Sequence, residues 1–192
     1  VLAGLMPVDG EVHGLCALME IQASRLGART GPSGEPVLLA DQDRRRWDRL
    51  LIRRGLAALE RAEQVSEAPG PYTLQAEIAA CHARASSVER TDWERIAALY
   101  LLLAHLTPSP IIELNRAVAV AMADGPARGL EIVDRLVADG ALAGYPQLRA
   151  VRGDLLSRLD RSAEARQEFA RAAALTRNDR ERALYQRRAA DA

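Results

Sequence analysis

Apolar positions recur at helical spacing along almost the whole chain, and no convincing alternating run of strand type interrupts them. The pattern predicts an all-α fold. A first helix spans residues 9–26, with Val12, Leu15, Cys16, Met19, Ala23 and Leu26 on its inward side, and "GARTGPSGEP" ends it. A second spans residues 41–65 and opens on "DQDRRRWD"; Asp41 or Asp43 is placed to cap it, Arg44 and Asp48 to pair on its surface, and Trp47, Leu51, Ala58, Ala62 and Val65 to face the core. Three arginines in one early turn oppose the helix dipole, so helix physics leaves part of this block unexplained. A third helix, residues 72–85, turns Leu74, Ile78, Cys81 and Ala85 inward.

Start signals punctuate the remainder. "TDWE" is a capping box from Thr91 to Glu94 that opens a helix running through Leu106. Ser109 is an N-cap and Pro110 a first helical residue for the next, "IIELNRAVAVAMADG", which is apolar except at Glu113, Asn115 and Arg116 and is therefore expected between neighbours. Pro126, Pro146 and Ser162 start three more, and "NDRE" caps the last from Asn178 to Glu181.

Helices of this length joined by short loops are antiparallel neighbours. A shift of 36 residues lays Asn115 to Leu136 on Val151 to Ala172, matching Arg116 with Arg152 and Asp124 with Asp160. Gly153, Leu156, Ala165, Phe169 and Ala172 fall on the small, large and aromatic positions of a tetratricopeptide hairpin. Tyr100 and Pro108 fit an earlier copy, whereas Arg149 and Arg152 stand where the first helix of that motif carries Trp and Leu. The expected architecture is a single helical domain over residues 1–192. Within it, residues 1–70 form a non-repeating front and residues 71–192 a tetratricopeptide-like, right-handed array of two to three degenerate copies.

Composition narrows the function. The 192 residues are 48% apolar, with 26 basic and 26 acidic side chains, so no long-range positive field draws the chain to nucleic acid or an anionic membrane. Every basic residue is Arg, a bias spread over all segments. Two distant cysteines, Cys16 and Cys81, suit a reducing cytoplasm. The longest uncharged run, from Ile96 to Ile112, contains His105 and a broken "TPSP" and does not make a membrane span; no signal peptide is visible. The start "VLAGLMPVDG" lacks an initiator Met, and the chain is expected to be a fragment of a longer protein.

Catalytic and metal chemistry find little purchase. Cys81 and His82 are adjacent and point about 100° apart on a helix, which does not make a thiol dyad. His13, Cys16, Cys81 and His82 lack zinc-ligand spacing, and the arginines around Asp41, Asp43 and Asp48 compete with any cation there. No phosphate-cradling glycine loop or nucleophile turn occurs. An enzyme is therefore expected only through a site that these residues do not display, and no cofactor or metal is expected. The candidate partner-binding residues are Asp41, Gln42, Asp43, Arg44, Arg45, Trp47 and Asp48, with Asn115, Arg116 and Arg152. Asn115 and Arg116 either bond buried loop carbonyls between hairpins or line a groove that clamps a peptide; Trp47 is either a core anchor or an interface residue.

The blocks "EVHGLCALM", "LLADQDRRRWD", "GPYTLQAEIAACHA", "TDWERIAALY" and "SPIIELNRAVAVAMADGP" together resemble the C-terminal extension of a group of bacterial extracytoplasmic-function sigma factors. In that group a tetratricopeptide-like helical domain follows two promoter-reading domains. His13 and Cys16 replace aliphatic residues of the pattern, and Asp160 stands at a turn usually given to Gly. The resemblance implies a regulatory, non-enzymatic module whose partners are the sigma domains of its own chain or core RNA polymerase, with promoter DNA reached only through absent N-terminal domains. It makes "DQDRRRWD" the first candidate for docking, its arginines completed by a partner's carboxylates. A free-standing tetratricopeptide-like adaptor for a peptide is the alternative, and an enzyme with an unread site the third.

Overall fold

The computed structural model describes residues 2–32 and 34–192, with side chains from residue 4 onward. All regular structure among the described residues is helical; the single β-bridge, Thr30 to Pro36, is isolated. None of these helices is long and apolar enough to cross a membrane. The chain forms two compact units that divide after Thr107, so the expected boundary near residue 70 lies inside the first.

The first unit contains α1 (Leu2–Leu5), α2 (Gly10–Ser24), α3 (Arg49–Val65), α4 (Pro71–Arg84) and α5 (Trp93–Leu106). Asp9 caps α2 by accepting from the Glu11 and Val12 amides. The expected inward side of this helix is corrected: Met19 and Leu26 are exposed, and Gly10, Gly14, Ala17, Ile21 and Ser24 are buried instead. Close approach decides the matter. A Cβ on Gly14 would lie 2.5 Å from Thr73 Oγ1, and one on Gly55 of α3 would lie 2.6 Å from Ile21 Cγ1. The small stripe lets α2 pack against both α3 and α4, and large apolar residues elsewhere on it stay outside.

The second helix also starts later than its composition predicts. Residues 39–41 and 44–46 are separate 3₁₀ turns, and α3 begins at Arg49 with Asp48 as its cap, accepting from Leu50 and Leu51. Neither Asp41 nor Asp43 caps it; Asp43 caps the 3₁₀ turn of Arg44–Arg46. The arginines therefore never occupy the first turn of an α-helix, and the dipole conflict does not arise. Ile52, Gly55, Leu59 and Ala62 form the buried face, while Val65 is exposed. Buried on nearly every side, α4 is the central rod and packs against α2, α3 and α5. Asp92, not Thr91, caps α5 by accepting from Arg95 N–H.

The second unit comprises α6 (Pro110–Ala123), α7 (Pro126–Ala138), α8 (Pro146–Ser157), α9 (Ser162–Leu175) and α10 (Asp179–Asp191). Ser109 and Asn178 cap α6 and α10 as expected, and Pro110, Pro126 and Pro146 are first residues. Each helix packs on the next in the chain, and α6 also touches α8. One core joins Leu114, Ala117, Leu130, Val133, Leu148, Leu156, Ala165 and Phe169. Gly153 permits it, because a Cβ there would lie 2.9 Å from the Phe169 ring. Although α6 was expected between neighbours, Ile111 and Asn115 on it are exposed. Asp160 takes a left-handed conformation (φ +59°) and ends α8: Arg161 N–H donates to Leu156 O and Asp160 N–H to Ser157 O.

Candidate functional site

The unexplained block becomes a strap, residues 38–48, between the end of α2 and the start of α3. Its exposure alternates: Gln42, Arg44 and Trp47 are buried, whereas Asp41, Asp43, Arg45 and Asp48 are exposed. Arg44 explains the alternation. Its Nη1 donates to His82 O and Ala85 O, both at 2.8 Å, and its Nη2 to Thr91 Oγ1 at 3.0 Å. Those carbonyls belong to the C-terminal turn of α4, whose last acceptors have no partners within the helix and whose dipole favours a cation. The guanidinium also stacks over Trp47, 5.2 Å from the ring centroid. No pair with Asp48 forms, and no external carboxylate is needed to hold Arg44.

The opposite end of α4 is held in the same manner with the charge reversed. Its N-cap, Gly70, has no side chain to offer, and Glu11 of α2 supplies the acceptors: Oε2 takes Tyr72 N–H at 2.8 Å, and Oε1 takes Thr73 N–H at 3.0 Å and the Thr73 hydroxyl at 2.6 Å. Both clamps join residues distant in sequence; Glu11 was not singled out by sequence reasoning, and Thr91 was read as a helix cap rather than as an acceptor for Arg44. The bare Gly70-Pro71 start was the available sign that a cap must come from elsewhere.

The strap's outer edge is polar and mutually paired. Arg45 and Asp43 form a two-pronged pair at 3.0 Å, which holds the Asp43 carboxyl below the usual carboxylate range. Arg46 donates to Gly27 O. An open groove of about 330 Å³ runs between this edge and the turn after α4, lined by Gln42, Arg44 and Arg45 on one side and Ser86, Ser87 and Glu89 on the other. Gln42 Nε2 donates to Val37 O, and its Oε1 has no partner among the described residues.

Arg25 stacks against the strap's own buried Trp47, and His82 lies where its carbonyl accepts from Arg44. Burial, then Arg25 and Arg44, lower the His82 pKa to about 4, so the ring is neutral and meets Trp93 edge-on at 5.2 Å. Burial raises the Cys81 thiol pKa, which disfavours the thiolate a nucleophile requires. Trp47, 3% exposed, is a core anchor. Among the described residues no group of three or more His, Cys, Asp or Glu side chains is placed to hold a metal ion.

The other candidates belong to the second unit. Asn115 is exposed. Arg116 forms a bidentate pair with Glu113, its Nη2 at 2.7 Å, rather than binding a loop carbonyl. Arg152 bridges Asp134 at 2.8 Å and Glu168 at 3.1 Å. Glu168, 1% exposed and missed by sequence reasoning, also meets Arg149 and Arg171. The arginines at the expected Trp and Leu positions thus serve this buried carboxylate.

The pattern that defines a family of unknown function, DUF6596, matches residues 1–63, a span that includes the strap. An uncharacterized protein of Rhizobium meliloti is 47% identical over 182 residues, which make up 95% of this chain and 42% of that relative. The chain thus spans less than half the length of the curated relative it matches. No solved structure matches.

Proposed function

We propose that this chain is the regulatory, protein-docking segment of a cytoplasmic extracytoplasmic-function sigma factor, with a tetratricopeptide-like array in its second unit. It touches the sigma domains of its own chain or core RNA polymerase and performs no reaction. The consecutive packing of α6 to α10 and the close approach at Gly153 support the array. The Rhizobium meliloti relative has more than half its length outside the match, which is room for domains that would contact the promoter.

The observation that carries the reading is the two-sided strap. Arg44 and Trp47 fix its inner side, and Asp41, Asp43 and Arg45 stand outward on a backbone held before any partner arrives. Such preorganisation lowers the ordering cost of association. In this reading the docking contribution comes from Asp43 and Arg45, while Arg44 acts by holding the strap.

Transcription in vitro from a cognate promoter, with the full-length protein and core polymerase, tests it. The double substitution Asp43→Ala with Arg45→Ala is expected to leave the helical spectrum nearly intact, to cost about 1 kcal/mol of stability through the lost cap of the 3₁₀ turn, and to lower transcript yield severalfold. Undiminished transcription refutes the assignment of the strap as a docking face.

A further inference from the structure

Two guanidinium groups, Arg25 and Arg44, stack on Trp47, and a third, Arg29, is near enough to Arg25 to act on it electrostatically; none has a paired carboxylate among the described residues. Arg44 is spent on neutral oxygens. Arg29 donates through Nη2 to Gln22 O and Gln22 Oε1, also neutral. Arg25, at the C-terminus of α2, stacks 5.7 Å from the Trp47 ring centroid, and its guanidinium has no hydrogen-bond or ion-pair partner among the described residues. The exposed Glu89 acts on Arg44 electrostatically but forms no ion pair with it, and Tyr100 acts electrostatically on Arg25.

Most of the unmet polar atoms of this cluster are donors, beside which stand an unpaired Nδ1 on the neutral His82 ring and the acceptor Gln42 Oε1 on the strap. Arg25 Nε, Arg29 Nε and Trp47 Nε1 are all buried N–H groups without an acceptor among the described residues. A donor left unpaired in the interior is destabilising, and clustered cations without a counter-ion repel one another. The repulsion is visible in Arg25, whose pKa is lowered to about 10 by burial and by Arg29 and Arg44. An uncompensated set of donors and positive charges matches a group that only accepts and is negative. Arg25 and Arg29 are partly exposed, so such a group can enter from solvent.

We propose that Arg25, Arg29 and Arg44, with the Trp47 indole N–H, form a binding site for a small oxyanion, a phosphate or carboxylate group. The ligand seats between the end of α2 and the inner side of the strap and neutralises the excess charge there. This site does not rest on the transcriptional role, because it lies on the strap's inner side and is assayed without a partner protein.

Titration calorimetry of the 192-residue chain in low-chloride buffer tests the site, with inorganic phosphate and malonate as separate probes. Saturable binding of at least one is expected, with a change in tryptophan emission. Arg25→Gln is expected to weaken binding tenfold or more without loss of helicity, since the Arg25 side chain makes no hydrogen bond among the described residues and its backbone bonds are kept; Arg29→Gln provides a second variant if the first misfolds. Arg45→Gln removes the same charge from the exposed edge and is expected to bind as the parent does. Binding of phosphate alone or malonate alone supports the site and identifies which oxyanion it takes. No saturable binding of either, or equal affinity in Arg25→Gln and the parent, overturns it.

Discussion

His82 is held neutral by burial and by two nearby guanidinium groups, and that has a cost at acid pH. Its pKa is lowered from 6.5 to about 4 in the folded chain. As pH falls below 6.5 the unfolded chain takes up a proton that the folded chain refuses until about pH 4, so stability is lost through this window. The slope is about 1.4 kcal/mol per pH unit for one such group. Urea unfolding at pH 7.5 and about 5.5 reads the effect, expected near 1.4 kcal/mol for the parent chain. His82→Gln keeps the backbone carbonyl that Arg44 uses and is expected to remove that difference. An equal loss in both proteins would assign the acid sensitivity to carboxylates elsewhere.

At the scale of the element, α4 shows a helix stabilised at both ends by side chains that come from other parts of the chain. Arg44→Gln strips the cation from three acceptors and is expected to destabilise the first unit by about 3 kcal/mol, because buried carbonyls and a hydroxyl lose their donor. Glu11→Ala removes the cap at the other end and is expected to cost about 1–2 kcal/mol. Denaturant midpoints check both, and an unmoved midpoint in Arg44→Gln removes the clamp. These two residues mark the boundary of what sequence reading reached. The starts at Ser109 and Asn178 were legible because the cap and the amides it serves are neighbours, and those at Pro126 and Pro146 because a proline suits the first helical position by its own backbone. Arg44 was not, since its acceptors lie 38 to 47 residues away. Composition alone cannot separate a buried arginine from the exposed Arg45 beside it. Thr91 misled for the same reason, since a capping-box threonine and an acceptor for a remote guanidinium look identical in sequence.

For the whole chain, the decisive feature is that each compact unit closes over its own apolar residues. Ala17, Ile21, Trp47, Leu59, Ala76 and Ala80 form the core of one, and Leu114, Val133, Leu148, Leu156 and Phe169 that of the other. Both tryptophans, Trp47 and Trp93, lie in the first unit, so their fluorescence reports it alone, whereas far-ultraviolet circular dichroism reports helices of both. Phe169→Ala empties a site that is 1% exposed and is expected to cost about 3–5 kcal/mol in the second unit. Part of the dichroism signal should then unfold at lower denaturant while the tryptophan transition stays in place. Arg44→Gln should do the reverse, moving the fluorescence midpoint and leaving a helical fraction that melts as in the parent chain. If both probes shift together in either variant, the two cores unfold as one cooperative body, and damage to the strap would then reach the helical hairpins as well.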